Sequence, residues 1–415
     1  MMYSLKEQLK TSDNPIKVFV DNFSKIIDLS STSSIVKLFH KPKMLKLIVD
    51  NDLFFANEKT IFRKLNISGL FECLELMYNF NNDYVKSHFT NIFNYGNSLL
   101  FYKKCLDFLM NNGVNANSII NLLDANNVAV DYNNFTVAIL EKTHNASLIM
   151  NNIDYFLINN HKLLEFKKIL VSFDYKLKYN EEINDYIDTN PDLIIREIAI
   201  FNDTISVDVI EKEKYTSFLK QLIEEILQNE KLNYHDIEYL DSGYYSKVYK
   251  IGDKVLKIGN ERKKFNIPFN KRFLKPLYRQ NISSLDGKKT LFCIEITECV
   301  DTNDITDDDV YKVYKELRDE GLIWTDCKRS NLGRLKKDNK IYFDGITSVS
   351  KNSTGYLDDN DEILKKGELV IIDNDYIFPE TEFFDLYDGD YSSLAFEIFK
   401  KYENRYNKEK MSRKL

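Results

Sequence analysis

Three polar side chains stand close together in the stretch GLIWTDCKRSNLGRL, Gly321 to Leu335. Asp326, Lys328 and Asn331 follow directly on an apolar patch that carries the chain's only Trp, Trp324. A carboxylate, an ammonium and an amide at this spacing could serve phosphoryl transfer, which asks a protein for positioning and charge neutralisation and for little covalent chemistry. Asp326 would orient an attacking hydroxyl and accept its proton. Lys328 would neutralise charge on the moving phosphoryl group, and Asn331 would hold Mg²⁺ through its amide oxygen. The local pattern reads as a helix end, a polar loop and a return strand.

Two further motifs flank this one. LDSGYYSKVYKIGDKVLKIG, Leu240 to Gly259, reads as strand, tight turn, strand, turn, strand. Gly243 lies at the first turn, where the lack of a side chain lets backbone amides approach phosphate oxygens. Lys257 alternates with Leu256 and Ile258, so it points away from the face those two fill. ELVIIDNDYIF, Glu368 to Phe378, is an apolar strand, Leu369 to Ile372, that ends in Asp373. A carboxylate fixed at a strand end suits Mg²⁺, which needs hard oxygens in fixed geometry, with Asp375 as the second choice.

Taken in order, the Gly turn, the strand Lys, Asp-x-Lys-x-x-Asn and the strand-end Asp make residues 238–375 resemble a protein-kinase-like domain. LDSGYYSKVY resembles the glycine-rich loop, contributing Gly243, Ser246 and Val248, with Asp241 and Ser246 in place of its first and third glycines. By this resemblance Lys257 would contact the α/β-phosphates, Asp326 would be the catalytic Asp, and Asn331 and Asp373 would hold Mg²⁺. The segment ITECVDT would be the linker that reads adenine through backbone groups, at Glu298 and Val300. ATP and Mg²⁺ are the cofactors the resemblance implies.

The chain departs from that pattern in several places. Trp324 stands where the family has a His, so that residue's hydrogen bond to the metal-binding segment is missing. Asn374 and Asp375 replace the Phe and Gly that follow the metal-binding Asp. Glu261 is the only acid between Lys257 and Asp286, and so the local candidate for the family's Lys–Glu ion pair; its nearness to the Lys implies a stunted or altered helix. The long interval from Asn331 to Asp373 implies an insertion, with SVSKNSTGYLDDND as its loop. After Asp373 only YSSLAFEIFKKYENRYNKEK offers a helix, as in minimal kinases of some bacterial effectors. A lobe that short leaves apolar surface, which the helical N-terminal half is expected to cover.

That half, to about Glu230, is a succession of helical patterns. FYKKCLDFLMNN places Phe101, Cys105, Phe108 and Leu109 on one face, and YTSFLKQLIEEILQN groups Phe218, Leu222, Ile223 and Ile226. Asn-rich stretches (NFNND, MNNGVNAN, DANN, DYNN) read as breaks. Apolar helix starts at Phe71, Phe101, Phe135 and Phe166 recur at 30, 34 and 31 residues, the length of a helical hairpin, so either an irregular bundle or a helical-hairpin array is expected. Strand-like runs begin near Leu232, ending with KIYFDGI and GELVIIDND, and a helix is expected from Asp307 to Glu320.

Composition sets outer limits. The 415 residues are 43% hydrophobic and 29% charged, which fits folded domains. Net charge is −7 and no long Lys/Arg block occurs, which argues against nucleic acid as partner. Cys73, Cys105, Cys293, Cys299 and Cys327 are scattered without Cys-x-x-Cys spacing, so reduced thiols are expected rather than disulfides or zinc. The histidines His40, His88, His144 and His161 are isolated and read as surface or core residues. There is no apolar signal core or membrane-length run, which fits a cytoplasmic protein or a secreted effector acting in a host cytosol.

The expected fold class is therefore α + (α+β): a helical domain over 1–230, then a minimal bilobal protein-kinase-like domain over 231–415. The expected function is a kinase passing the γ-phosphate of ATP to a Ser/Thr hydroxyl on a protein, with the helical domain binding substrate or activator. The alternatives are a pseudokinase acting as a nucleotide-binding interaction module, a small-molecule kinase, and a kinase-fold nucleotidyl transferase.

Overall fold

Several of the Asn-rich breaks are helix starts. Asn81, Asn115 and Asp131 each turn a side-chain oxygen onto the backbone N–H three residues on, as Ser31, Asn66 and Ser98 do at other helix starts. This satisfies one of the donors that every helix start leaves bare. A computed structural model of the chain describes residue 7 and residues 11–199, 212–242, 246–259, 272–274, 277–283, 290–338, 365–372, 376–383 and 393–412. KIYFDGI and the SVSKNSTGYLDDND loop lie outside these residues, as do Gly243, Glu261, Asp373 and Asp375. The chain divides into two units, Met1–Thr189 and Asn190–Leu415. No helix among the described residues is long and apolar enough to cross a membrane, and all five cysteines are free thiols.

The first unit is a series of helical hairpins. Its leading helices are α1 (Thr32–Phe39), α2 (Ile67–Phe80), α3 (Leu99–Asn111), α4 (Tyr132–Thr143) and α5 (Leu163–Phe173), and each packs on the next. Phe71, Phe101, Phe135 and Phe166 all point into this stack and are buried, as are Cys105, Phe108 and Leu109. Polar bonds repeat at the same period. Tyr84 Oη donates to Asp52, Tyr78 Oη to Asn112 O, Lys142 to Asp107 and Asn152 to Asn117, across 32, 34, 35 and 35 residues.

The second unit begins with α6 (Pro191–Ala199) and α7 (Lys212–Glu230), and continues into a five-stranded antiparallel sheet. Its strands are β1 (Glu238–Ser242), β2 (Ser246–Ile251), β3 (Lys254–Gly259), β4 (Tyr278–Ser283) and β5 (Thr290–Glu298), in the order β1-β2-β3-β5-β4. One face is apolar and buried: Tyr249, Ile251, Leu256, Ile258, Ile294 and Ile296. α6 lies against it, with Tyr249 Oη and Lys247 Nζ both 3.4 Å from Glu197 O. The end of α7 reaches the β2–β3 turn, where Lys254 Nζ meets Glu230 at 3.5 Å. Gly252 sits in that turn with φ +56°, and a Cβ there would press on Leu232. Compactness thus places the division at Thr189/Asn190 rather than at 230/231, because the sheet's apolar face needs α6 as a cover. On α7 the buried positions are Tyr215, Leu219, Leu222, Ile223, Ile226 and Leu227, with Phe218 at the edge of that stripe.

Below the sheet lies a second core. α8 (Asp307–Asp319) starts with a capping box between Thr306 and Asp309, and buries Val310, Tyr311, Val313, Tyr314 and Leu317. Two short ribbons pack on it: β6 (Leu322–Trp324) with β9 (Ile377–Pro379), and β7 (Leu332–Arg334) with β8 (Leu369–Ile371). The stretch expected as a helix end, Leu322–Trp324, is a strand, since β9 offers it a ladder. The apolar surface of α8 is covered from within the unit, by α9 (Leu394–Ser412), whose Phe396, Phe399, Tyr402 and Tyr406 join the same cluster.

Candidate active site

The loop from Thr325 to Asn331 is pinned at both ends by the two ribbons. Thr325 N donates to Tyr376 O at 3.0 Å on the β9 side, and Ile372 N donates to Asn331 O at 2.9 Å on the β8 side. Inside the loop, Asn331 N closes a turn onto Lys328 O at 3.0 Å. These ties leave little freedom to the three polar side chains, which converge. Asn331 Nδ2 donates to Asp326 Oδ2 at 2.7 Å and to Asp326 O at 2.9 Å. Lys328 Nζ lies 2.9 Å from the same Oδ2. Asn331 is buried and Lys328 half-exposed, so the carboxylate is gripped from inside and neutralised from outside. With Nδ2 used twice, the amide oxygen of Asn331 is the atom left for a cation, and a hard oxygen is what Mg²⁺ takes. Asp373, the second expected ligand, lies outside the described residues, though Ile372 before it is held at Asn331. Among the described residues no group of three or more His, Cys, Asp or Glu could hold a metal ion.

The neighbours of the loop are shaped by burial and charge. Cys327 is buried, and desolvation pushes its thiol well above the ordinary range, which favours the protonated form. The Arg329 guanidinium, 2.7 Å from Asp307, holds that carboxyl below the usual range and ties the loop to the start of α8. Trp324 is wholly buried, and its Nε1 meets no hydrogen-bond partner among the described residues. The link to the segment after Asp375 is made instead by Thr325, through its N–H and, at 3.4 Å, its Oγ1 to Tyr376 O.

On the sheet, the register pairs Ser246 with Gly259, Val248 with Lys257 and Lys257 with Glu295. Opposed residues share a face, so Ser246, Val248 and Lys257 point to the side away from the apolar core. Glu295 and the buried Thr297 stand on that side too. Neither was among the expected site residues. Their alternation with Ile294 and Ile296 was visible in the sequence, whereas their alignment with Lys257 depends on strand pairing.

The segment after β5 connects the sheet to the loop. Cys299 N donates to Asp253 O at 2.8 Å, so the backbone groups of Glu298, the last residue of β5, point away from β3. The linker is strapped to β7. Asp301 and Arg334 exchange backbone bonds of 2.9 and 2.7 Å. Lys337 Nζ lies 3.1 Å from the Glu298 carboxylate. A Cβ at Gly333 would run into the Val300 side chain, so glycine permits the approach. Residues 272–274 form a second strap: Leu274 N to Ile371 O at 3.0 Å, with Arg272 bonded to both Glu316 carboxylate oxygens and to Leu369 O. Val300 thus sits two residues' distance along β7 from Asn331, and the Lys257 face lies on the same sheet as the linker.

Comparison with family models, curated proteins and solved structures finds none similar to this chain.

Proposed function

We propose that the chain is an ATP- and Mg²⁺-dependent kinase that passes a γ-phosphoryl group to a Ser/Thr hydroxyl on a protein. The observation that carries the reading is the convergence of Lys328 and Asn331 on one oxygen of Asp326, in a loop fixed at both ends. Asp326 accepts the proton of the attacking hydroxyl, Lys328 offsets charge at the transferring group, and Asn331 offers its amide oxygen to the metal. The place of Lys257 on the third strand of an antiparallel sheet supports it, since protein kinases carry their nucleotide-contacting Lys there. The backbone edge of Glu298, turned away from β3, supports it again. The finer fold reading, a minimal bilobal kinase-like domain, belongs to the same proposal. The hairpin array would recruit the substrate or an activator, as stacked repeats present extended surfaces.

One observation favours a second reading. Trp324 Nε1 is buried and meets no hydrogen-bond partner among the described residues, which would suit a nucleotide-binding module without turnover. Incubating the full chain with γ-labelled and α-labelled ATP and a cell lysate decides. Label passed from the γ position, and lost in Asp326→Asn, is expected. Transfer from the α position would replace the kinase by a nucleotidyl transferase, and nucleotide-dependent melting without any transfer would favour the binding module.

A further inference from the structure

The charges of α9 are sorted between its two sides. Glu403 turns inward to Arg318 at 2.9 Å, and Glu409 to Lys315 at 2.6 Å, both cations of α8. Lys400, Lys401, Lys408 and Lys410 stand on the exposed side, with Glu397 the one exposed acid of the helix. Among the described residues none of these four lysines enters an ion pair. Lys400 lies over the Phe396 ring and Lys410 over the Tyr406 ring, at 4.7 and 5.5 Å, contacts that leave the charge in place. Lys401, Asn404, Lys408 and Met411 follow at steps of three and four residues, so they form one stripe, and all are exposed. The rings of the helix, Phe396, Phe399, Tyr402 and Tyr406, belong to the core instead.

The stripe starts beside the candidate catalytic loop. Tyr402 stacks on Tyr311 at 6.0 Å and Arg405 bonds Asp308 at 3.1 Å, so this part of α9 runs along the start of α8. There Arg329, three residues after Asp326, holds Asp307 at 2.7 Å. Arg329, and after it Lys401 from the α9 side, keep that carboxyl below its usual range. Asp309 is matched by Arg334 at 2.8 Å. The acids at the start of α8 are thus already partnered, and the lysines of α9 are in excess.

We infer that the exposed side of α9 docks an acidic stretch of a partner protein, which in the proposed kinase is the acceptor. The identity of that partner as acceptor rests on the kinase reading; the docking face does not. The chain carries a net charge of −7, so an acidic protein is held only where bases gather. Lys401 and Lys408 lie about 10 Å apart along the helix. An extended segment advances about 3.3 Å per residue, so carboxylates three residues apart meet both. Lysine, a hydrated point charge on a flexible stem, suits such a run better than one shaped group. With the rings turned inward, the stripe offers no platform on which bases would stack and no apolar face that would enter a bilayer.

The test uses the full chain and a fluorescent peptide with one Ser and an Asp or Glu at every third position. Its controls are the Asn/Gln counterpart of that peptide and phosphatidylserine vesicles. The acidic peptide should bind more tightly than the neutral one. Lys401→Gln with Lys408→Gln should weaken it roughly fivefold, about the loss of two exposed charge pairs. The double Arg variant should restore it, and an unchanged melting temperature shows that α9 remains packed. For phosphotransfer, KM for the acidic peptide should rise with kcat unchanged, because the lost contact is made equally before and during the reaction. Equal binding of acidic and neutral peptides, or a double Gln variant that binds like the parent, would overturn the inference and leave the kinase. Vesicle binding lost in the double Gln variant, with no preference for the acidic peptide, would give the face to a membrane and overturn it too. A chain that holds the acidic peptide through these lysines and passes phosphate to nothing would overturn the kinase and keep the docking face.

Discussion

At the scale of single residues, Asp326 and Gly333 carry the sharpest expectations. Asp326→Asn keeps the size and the Asn331 contact but removes the base. Phosphotransfer should fall by roughly 10²–10⁴-fold, with nucleotide affinity little changed, because in the proposed reaction the carboxylate would serve the hydroxyl and not the nucleotide. A variant that retains most of its activity would remove Asp326 from the chemistry. Gly333→Ala puts a methyl group where Val300 already stands. Overpacking of this kind costs roughly 1–3 kcal/mol, and the loss should be recovered in part by Val300→Ala in the same chain. Thermal melting of the single and double variants measures it, and absence of recovery would mean that the strain lies elsewhere. The Asp326–Lys328–Asn331 grouping was legible in the sequence, since all three residues sit within one short loop. The Lys257–Glu295 alignment was not, because the intervening chain hides which strand neighbours which.

Between elements, the closing of the second core by α9 rests on charges as well as rings. Arg318, on α8, is buried between Glu380 and Glu403, at 2.8 and 2.9 Å, and Lys315 holds Glu409 at 2.6 Å. The hydrogen bond from Arg318 keeps the Glu380 carboxyl below its ordinary range, and Lys315 does the same for Glu409. A carboxylate whose pKa is lowered on folding stabilises the fold fully above its unfolded value, and loses that contribution as pH falls through the folded one. Hydrogen exchange in Leu394–Ser412, corrected for its intrinsic pH dependence, should therefore hold steady from neutral pH down to about 5 and rise below about 4. Protection that persists unchanged to strongly acid pH would show that the aromatic contacts suffice alone. The apolar periodicity of α9 and α8 made both helices readable. The strand character of Leu322–Trp324 was not, since three apolar residues fit either state until β9 supplies a partner.

For the whole molecule, the place where the chain divides matters most. A fragment beginning at Lys231 strips α6 and α7 from the sheet and bares the face of Tyr249, Ile251, Leu256, Ile294 and Ile296. One beginning at Asn190 keeps both helices. The longer fragment should melt cooperatively, and the shorter one should aggregate or melt at a clearly lower temperature. Equal stability would mean that α6 and α7 are dispensable to the sheet. The change of texture near Leu232 was visible in the sequence because helical periodicity gives way there to alternation. It marks where the sheet starts and not where the compact unit starts, and no local pattern tells which neighbour a helix will cover. In the first unit the helical character was readable from apolar periodicity, and Phe71, Phe101, Phe135 and Phe166 are all buried.

The strap between the linker and β7 has a kinetic meaning. Backbone bonds of 2.9 and 2.7 Å between Asp301 and Arg334, with Val300 seated on Gly333, join the linker to the strand that leaves Asn331. Bending at the linker must shear this seam. In the proposed kinase, the seam would then slow departure of the spent nucleotide more than phosphoryl transfer. Rapid mixing with excess ATP and acceptor should then give a burst of one phosphorylated acceptor per site before a slower steady rate. Product that accumulates linearly from the first turnover would show that the seam yields easily.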